Sequence, residues 1–363
     1  MPCVPAIRIA VDTWRKGGYK GVTGTTSELL SFWFRTDHIM SNGRQSRYHL
    51  AQREAIETLI YLYEVAKVRS RKGLLENYAQ HSRDLRMPPY DEFTSYCVKM
   101  ATGSGKTMVL AMAVVWQFAN AVREDENQYA KTFLMLAPNV IVFERLKTDF
   151  ESGRVFRFAP LIPRHFQWRW DMNYYMRGDT EDNHSDGAFY LTNIQQFYER
   201  PDRKNEAETN IMTAMLGTTP SIKKSEISDF DTRIIAREGL VMVLNDEAHH
   251  THDEDDEWNK SIQKIHNGRP LAIQLDVSAT PRHQGGGLFA WTVFDYQLKQ
   301  AILDNIVKRP IKGISQVTEA KSDIASVNYV GYLVASMERW KEYREQLLPH
   351  WSCDERQCSA KLV

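Results

Sequence analysis

Two short segments contain residue types that act on phosphates and metal ions. The first, ATGSGKT at residues 101–107, lies between an apolar stretch and a segment with a helical pattern. The second, LNDEAHHTHDEDDEW at residues 244–258, contains three histidines and seven acidic residues. By itself the second segment allows a metal cluster, a solvated run of charge, or the acidic part of a nucleotide site.

The first segment predicts a phosphate-binding loop, because glycines let successive backbone N–H groups approach phosphate oxygens at the start of a helix. Lys106 is placed to reach the β- and γ-phosphates of a nucleotide, and Thr107 to bind Mg²⁺ through its hydroxyl. The full motif has glycine where this chain has Met100. The predicted cofactor-binding residues of the loop are Thr102, Gly103, Ser104, Gly105, Lys106 and Thr107.

Four apolar residues, VMVL at 241–244, lead into the second segment and indicate a buried strand. Such a strand would carry Asp246 and Glu247 to the carboxyl edge of a sheet, where ligands bind in open α/β folds. We expect this strand to neighbour the one before the loop, so that Asp246 binds Mg²⁺ and Glu247 orients or deprotonates the attacking water. Residues 253–257 are better explained as a solvated acidic run, and His250 and His252 receive no role.

The elements around these segments alternate between strands and helices, as in a doubly wound α/β domain. The predicted strands are near-continuous apolar runs, which is typical of a parallel sheet covered on both faces. We place this domain at residues 46–312, after an N-terminal extension at 1–45 and before a C-terminal helical segment at 313–363. In the extension, IRIAV is predicted to be a strand and the glycine-rich stretch after it a turn region.

Composition excludes some classes of protein. The 363 residues include 46 basic and 46 acidic ones, so any contact with nucleic acid would depend on a local patch. Four cysteines form no evident disulfide framework. The sequence contains neither a signal peptide nor an apolar run of roughly 18 residues, the length that a spanning helix needs. We therefore expect a cytoplasmic protein that does not associate with a membrane.

Three motifs in order make the chain similar to a known superfamily. ATGSGKT, DEAH and Ser278-Ala279-Thr280 resemble motifs I, II and III of superfamily 2 helicases and translocases. PNVIVFERL, YLTNIQQFYER, NDEAHH and DVSATPRH narrow the resemblance to the restriction (Res) subunit of type III restriction enzymes. The resemblance implies that the α/β domain is a first RecA-like domain, a P-loop NTPase fold that uses ATP and Mg²⁺.

The resemblance also implies roles for individual residues. Gln52, on a predicted amphipathic helix, resembles the glutamine that reads the adenine edge; the alternative is an ordinary polar residue on that helix. Lys106, Asp246, Glu247 and His249 form the predicted catalytic set. His249 resembles the histidine that links the hydrolysis site to motif III. In motif III, Ser278 and Thr280 would couple the bound nucleotide to the strength of nucleic-acid binding.

Four further residues resemble nucleic-acid contacts of such motors, which hold the phosphate backbone through small polar groups and helix N-termini. Pro138 and Asn139 match motif Ia, and Thr192 and Asn193 match an element like motif Ib. The alternative is turn and cap chemistry, since asparagine is a good helix N-cap. Aromatic residues in HFQWRWDMNYYMRGD leave two interpretations open, a stacking platform for single strands or a local core under a β-hairpin.

The resemblance predicts the ATP-hydrolysing motor of a DNA helicase or translocase that acts on double-stranded DNA with a methyltransferase (modification) subunit as a possible partner. The sequence contains no second RecA-like domain with an arginine-bearing motif, and no nuclease signature. We therefore expect this chain alone to bind ATP·Mg²⁺ but to hydrolyse it slowly. The alternatives are a nucleotide-dependent binding switch, or another superfamily 2 remodeller of DNA or RNA in a phage-defence system.

Overall fold

The structure is a computed structural model that describes residues 1–39, 43, 45–79, 93–176, 179, 185–193, 230–246, 257–281, 289–309 and 325–347. Contacts divide the chain into two compact units, Met1–Val307 and Lys308–Val363. The first unit contains every strand described below. The second contains the helix Ala325–Leu347. None of the helices in these ranges is both long and apolar enough to cross a membrane.

A seven-stranded sheet forms the centre of the first unit. Its strands are β3 (Ser95–Met100), β4 (Ala130–Ala137), β5 (Met172–Tyr175), β6 (Gly187–Asn193), β7 (Leu240–Asp246), β8 (Leu271–Ser278) and β9 (Thr292–Tyr296). Their order is β5-β6-β4-β7-β8-β3-β9, and every neighbouring pair is parallel. A separate antiparallel pair is formed by β1 (His38–Ile39) and β2 (Gln45–Ser46). The predicted doubly wound parallel sheet is confirmed.

Helices flank this sheet. They are α1 (Val4–Lys16), α2 (Gly24–Arg35), α3 (Leu50–Ile60), α4 (Arg71–Tyr78), α5 (Lys106–Arg123), α6 (Val140–Phe150), α7 (Arg154–Phe158), α8 (Phe230–Ala236), α9 (Glu257–Gly268) and α10 (Leu298–Leu303), with α11 (Ala325–Leu347) in the second unit. A π-helical turn, Tyr61–Val65, continues α3, and 3₁₀ turns occupy Glu151–Gly153 and Arg164–Arg169.

Side chains of β4 show why the strands have continuous apolar sequences. Phe133 and Met135 point into the main hydrophobic core, which includes the buried residues of α5. Leu134 and Leu136 point into a second cluster that includes Ile262 of α9. Because successive strand residues face opposite sides of a sheet, a strand that is covered on both faces needs apolar residues at every position.

The prediction of a strand at IRIAV is wrong, because residues 4–16 form α1. Val4, Ile7, Val11 and Trp14 are buried, and their spacing of three or four residues places them on one face of a helix. The short apolar run resembles a strand only when it is considered without Trp14. The turn that follows contains Gly18 and other left-handed residues, as predicted, but the predicted turn region GGYKGVTGTTSELL is helical from Gly24, where α2 begins.

A buried carboxylate joins the N-terminal helices to α3. Glu57 is fully buried, and its oxygens accept hydrogen bonds from Nε of Arg15 at 2.7 Å and Nε of Arg53 at 2.7 Å. The hydroxyl of Tyr19 also donates to Glu57, and Arg53 donates in turn to the Tyr19 oxygen at 2.7 Å. Two guanidinium groups and one phenol therefore neutralise and hydrogen-bond one buried charge, as burial of a charge requires.

A second buried carboxylate, Glu64, joins the same helical segment to α2 and α5. It accepts from the backbone N–H of Thr23 at 3.0 Å, the hydroxyl of Thr26 at 2.6 Å and the indole N–H of Trp116 at 2.6 Å. Trp116 lies on α5, the helix that follows the predicted phosphate loop. The predicted N-terminal extension is thus part of the packing around this loop helix.

The aromatic segment forms part of the sheet edge. Tyr175 is buried in β5, and β5 pairs in parallel with β6, so the expected β-hairpin is wrong. The Trp170 ring lies 5.0 Å from Phe118 of α5 and 5.3 Å from Phe156 of α7, measured between centroids. These rings belong to a local core, whereas Trp168 is exposed.

Candidate nucleotide-binding site

The predicted phosphate loop connects β3 to α5. Gly103 and Gly105 both have left-handed backbones, with φ of 80° and 87°. The Ser104 hydroxyl donates to the carbonyl of Ala101 at 2.6 Å and thereby closes the loop on itself. Met100, in place of the usual glycine, is the buried last residue of β3 and pairs with β9. The departure from the full motif therefore lies in the strand, at Met100, and not in the turn that would bind phosphates.

Gly105 is required by a close approach as well as by its φ. A Cβ atom at this position would lie 2.2 Å from Nε2 of Gln52. The same Nε2 donates to the carbonyl of Gly105 at 3.3 Å, and Oε1 of Gln52 accepts from the backbone N–H of His49 at 2.9 Å. Gln52 is buried and contacts the loop directly; its role in reading adenine stays a prediction.

Lys106 and Thr107, the two residues that follow Gly105, differ in their exposure to solvent. Lys106 is the first residue of α5 and is 5% exposed, whereas Thr107 is partly exposed. The Ala101 N–H donates to the carbonyl of Tyr296 at 3.0 Å, which ties the start of the loop to β9. Burial raises the pKa of Tyr296 to about 12, and its hydroxyl donates to Asp304 at 2.8 Å, so this neighbour of the loop is uncharged.

Asp246 ends β7 and is 1% exposed. The expectation that β7 neighbours the loop strand is wrong, because β8 lies between β7 and β3. All three strands are parallel, so their carboxyl ends still meet at one edge of the sheet. An arginine of α6, Arg145, forms an ion pair with Asp246. Glu247 and His249, the other predicted catalytic residues, lie outside the described residues.

A polar contact between β7 and β8 was not predicted. Asn245 faces Asp276 across the two strands, and its Nδ2 donates to the Asp276 carboxylate at 2.6 Å. Nε2 of Gln274 donates to the same oxygen at 3.1 Å, and all three side chains are buried. The signal in the sequence was the polar residues within otherwise apolar strands. This buried contact joins β7 to β8 one residue before Asp246.

Ser278 is the buried last residue of β8, and its hydroxyl oxygen accepts from the backbone N–H of Thr280 at 3.1 Å. Thr280 is exposed. Ser278 faces Lys99 of β3, one residue before the end of the loop strand. Motif III therefore begins beside the phosphate loop. Its predicted link to His249 falls outside the described residues and stays a prediction.

The four predicted nucleic-acid contacts lie together at the carboxyl edges of β4 and β6. Leu136 pairs with Thr192 and Ala137 with Asn193, so Pro138 and Asn139 follow directly beside that pair. Asn139 is the N-cap of α6, and its Oδ1 accepts from the N–H of Val142 at 2.9 Å. Thr192 and Asn193 are buried, whereas Pro138 and Asn139 are partly exposed. A contact with a phosphate backbone stays a prediction for all four.

The residues present fit a nucleoside triphosphate with Mg²⁺. The two left-handed glycines keep side chains away from the loop backbone, and Lys106 begins the helix at its end. Asp246 and Thr107 offer the oxygen ligands that Mg²⁺ prefers. We expect the loop and Lys106 to hold the phosphates, and Thr107 and Asp246 to hold the metal ion, directly or through water.

The parallel sheet, the loop between β3 and α5, and the acidic end of β7 define a P-loop NTPase of the RecA-like class. A family model described as "Type III restriction enzyme, res subunit" matches residues 46–283, more than half of the chain. The chain therefore belongs to this family, and the predicted resemblance is confirmed. A search of curated proteins found no match.

Membership in the family makes the domain a superfamily 2 helicase-type ATPase domain, which in general uses ATP and Mg²⁺. The matched region begins at residue 46, so α1 and α2 lie before it. The buried contacts of Glu57 and Glu64 nevertheless place those helices in the same core as the family region.

Proposed function

We propose that this chain is the ATP-driven motor domain of a type III restriction-like DNA helicase or translocase. The observation that carries the proposal is the convergence of the glycine loop, buried Lys106 and buried Asp246 at one edge of the sheet. Bound ATP supplies the phosphoanhydride bond whose hydrolysis releases free energy. Lys106 would balance phosphate charge, Asp246 would hold Mg²⁺, and Glu247, from its position in the motif, would orient or deprotonate water.

Double-stranded DNA is the proposed track, with a methyltransferase (modification) subunit as the proposed partner. Family membership supports both, since res subunits typically act on DNA with such a partner. The position of Asn139 adds a physical reason, because it caps α6 at the same edge of the sheet as Asp246. Helix N-termini contact phosphates through their N–H groups. His249, Ser278 and Thr280 would connect that contact to the nucleotide.

Turnover by this chain alone is expected to be slow, below about 1 s⁻¹, the lower end of ordinary enzyme rates. The motors of this superfamily hydrolyse ATP between two RecA-like domains, and a second domain supplies an arginine that stabilises transition-state charge. The measurement is phosphate release with and without duplex DNA, comparing the parent chain with Glu247→Gln. That substitution keeps the size of the side chain and should remove turnover while nucleotide binding persists.

Either of two results would contradict this assignment. DNA-stimulated turnover well above about 1 s⁻¹ would contradict the slow hydrolysis expected of this chain alone. Equal, measurable turnover by the parent chain and by Glu247→Gln would show that Glu247 takes no part in hydrolysis. DNA-dependent nucleotide binding with no turnover in either protein would instead support the binding switch.

Gln52→Ala is expected to lower ATP affinity about three- to tenfold, the effect of one net hydrogen bond, and to lower GTP affinity less. The reason is that Gln52 would read the adenine edge from its position against Gly105. Ser70→Ala is the matched control: Ser70 caps α4 by accepting from the Gly73 N–H at 3.0 Å. Both variants lose a cap, but only Gln52→Ala should change the ATP-to-GTP ratio in binding titrations. An unchanged ratio would leave Gln52 a purely structural residue.

A further inference from the structure

Arg145 contacts the carboxylate to which the proposed function assigns the metal ion. Its guanidinium forms a hydrogen-bonded ion pair with Oδ2 of Asp246. The Asp246 side chain is 1% exposed and the Arg145 side chain is 48% exposed. One partner is thus enclosed by the protein, whereas the other reaches in from the surface and has room to leave.

Arg145 also belongs to the helix that begins at the proposed nucleic-acid contact. Asn139 caps α6, and Arg145 follows within the next two helical turns. Phe143 and Leu146 anchor α6 to the protein, because both side chains are buried in the main core. A force on the exposed N-terminus of α6 therefore acts on the same short element that carries Arg145.

A second carboxylate is available to Arg145 on its own helix. Asp149 follows four residues later, a spacing at which side chains of a helix meet. Burial raises the pKa of Asp149, while the positive charges of Arg145 and Arg154 act in the opposite direction. Asp149 therefore gains from a closer approach of Arg145, and it offers this arginine a partner other than Asp246.

We propose that Arg145 is a positioning residue that occupies Asp246 when no metal ion is bound, and that nucleic acid at the start of α6 draws it away so that Asp246 can accept Mg²⁺. This inference rests on the proposed function and adds to it a route from the DNA contact to the metal site.

The physical basis is competition for one buried charge. Asp246 without a cation would be costly in this enclosed position, so Arg145 stabilises the metal-free chain. The same contact opposes metal binding, because Arg145 must leave Oδ2 before that atom can face a divalent cation or its water shell. If Arg145 only neutralised Asp246, the Mg²⁺ requirement of the chain would not depend on DNA.

The first experiment measures binding of a fluorescent ATP analogue as a function of Mg²⁺ concentration, without turnover. Arg145→Gln is expected to lower the Mg²⁺ concentration at half-saturation by about tenfold, as loss of a competing charge-assisted hydrogen bond would. The control is Lys147→Gln, which removes the same charge from the same helix. Lys147 lies two residues further, about 200° around the helix axis, so it should have little effect.

The second experiment repeats the titration with saturating duplex DNA. DNA should lower the Mg²⁺ requirement of the parent chain and of Lys147→Gln, but leave that of Arg145→Gln unchanged. Arg145→Lys keeps the charge without the planar fork and should fall between the parent chain and Arg145→Gln. Without DNA, a Mg²⁺ requirement of Arg145→Gln that equals or exceeds that of the parent chain would overturn the proposal, as would an equal lowering in Lys147→Gln. With DNA, a response of Arg145→Gln as large as that of the parent chain would also overturn it.

Thermal melting covers the case in which Arg145→Gln folds poorly. The variant should melt at a lower temperature than the parent without Mg²⁺, yet gain more from Mg²⁺ with nucleotide, since the metal ion then supplies the missing positive charge. A smaller gain than that of the parent would contradict the inference. Failure of the proposed function is distinguishable, because it would leave nucleotide binding unaffected by Lys106→Ala, whatever Arg145 does.

Discussion

Lys106→Ala is expected to reduce ATP affinity by at least about tenfold and to abolish measurable hydrolysis. A charge-assisted hydrogen bond is worth about 1.5–3 kcal/mol, and each 1.4 kcal/mol corresponds to a factor of ten in affinity. Lys106 is buried at the start of α5, where the helix N-terminus and the lysine charge would act on the same phosphates. Calorimetric titration of ATP·Mg²⁺ into the variant and the parent chain measures the loss.

A matched control separates this effect from general loss of positive charge. Lys131 lies near the start of β4, at the opposite edge of the sheet, and pairs with Glu126 at 2.6 Å. Lys131→Ala should leave ATP affinity within about twofold of the parent value, since Lys131 lies far from the phosphate loop and its pair with Glu126 is partly exposed, a kind of pair that contributes about 1 kcal/mol or less to stability. Equal losses of affinity in the two variants would refute the assignment of the loop.

Glu57→Ala is expected to lower the free energy of unfolding by about 3–5 kcal/mol, the usual effect of removing one partner from a buried ion pair. The substitution would leave Arg15, Arg53 and Tyr19 without their shared acceptor. It would also weaken the contact of α1 with α3, the helix that carries Gln52 to the phosphate loop, although Arg15 would keep its ion pair with Glu54. Urea unfolding followed by circular dichroism measures the loss.

Glu28→Ala is the comparison for Glu57→Ala. Glu28 lies on α2 and is exposed, and its carboxylate pairs with Arg123 at 3.4 Å and with His165 at 2.8 Å. Screening by solvent should limit the loss there to about 1 kcal/mol. If both variants lost the same small amount, the buried contacts of Glu57 would contribute no more than a surface pair.

The Glu57 and Glu64 contacts also explain why the N-terminal helices belong with the nucleotide site. Arg15 and Thr26 precede the region that the family model matches, whereas Glu57 and Glu64 lie within it. Glu64 accepts hydrogen bonds from Trp116 of α5 and from Thr26 of α2. The helix that follows the phosphate loop and the N-terminal helix α2 therefore share one buried acceptor. We therefore expect shortening of this chain before residue 46 to affect nucleotide binding through stability.

The sequence by itself determined the local features of this protein. The loop at residues 101–107 was predictable because its conformation depends on neighbouring residues, namely left-handed glycines between a strand and a helix. The parallel sheet was predictable because strands covered on both faces must be apolar throughout. Even the cap at Asn139 follows from local chemistry. IRIAV was misassigned because a short apolar run fits both the helical and the strand period.

The tertiary structure alone decided which distant residues meet. It placed β8 between the strands of Lys106 and Asp246, paired Asn245 with Asp276, and brought Arg145 onto Asp246. Residue spacing within a segment contains no information on these contacts, because each depends on strand order and on the face of the sheet that a helix covers. For the same reason the burial of Glu57 among residues from two other segments became evident only when the chain was folded.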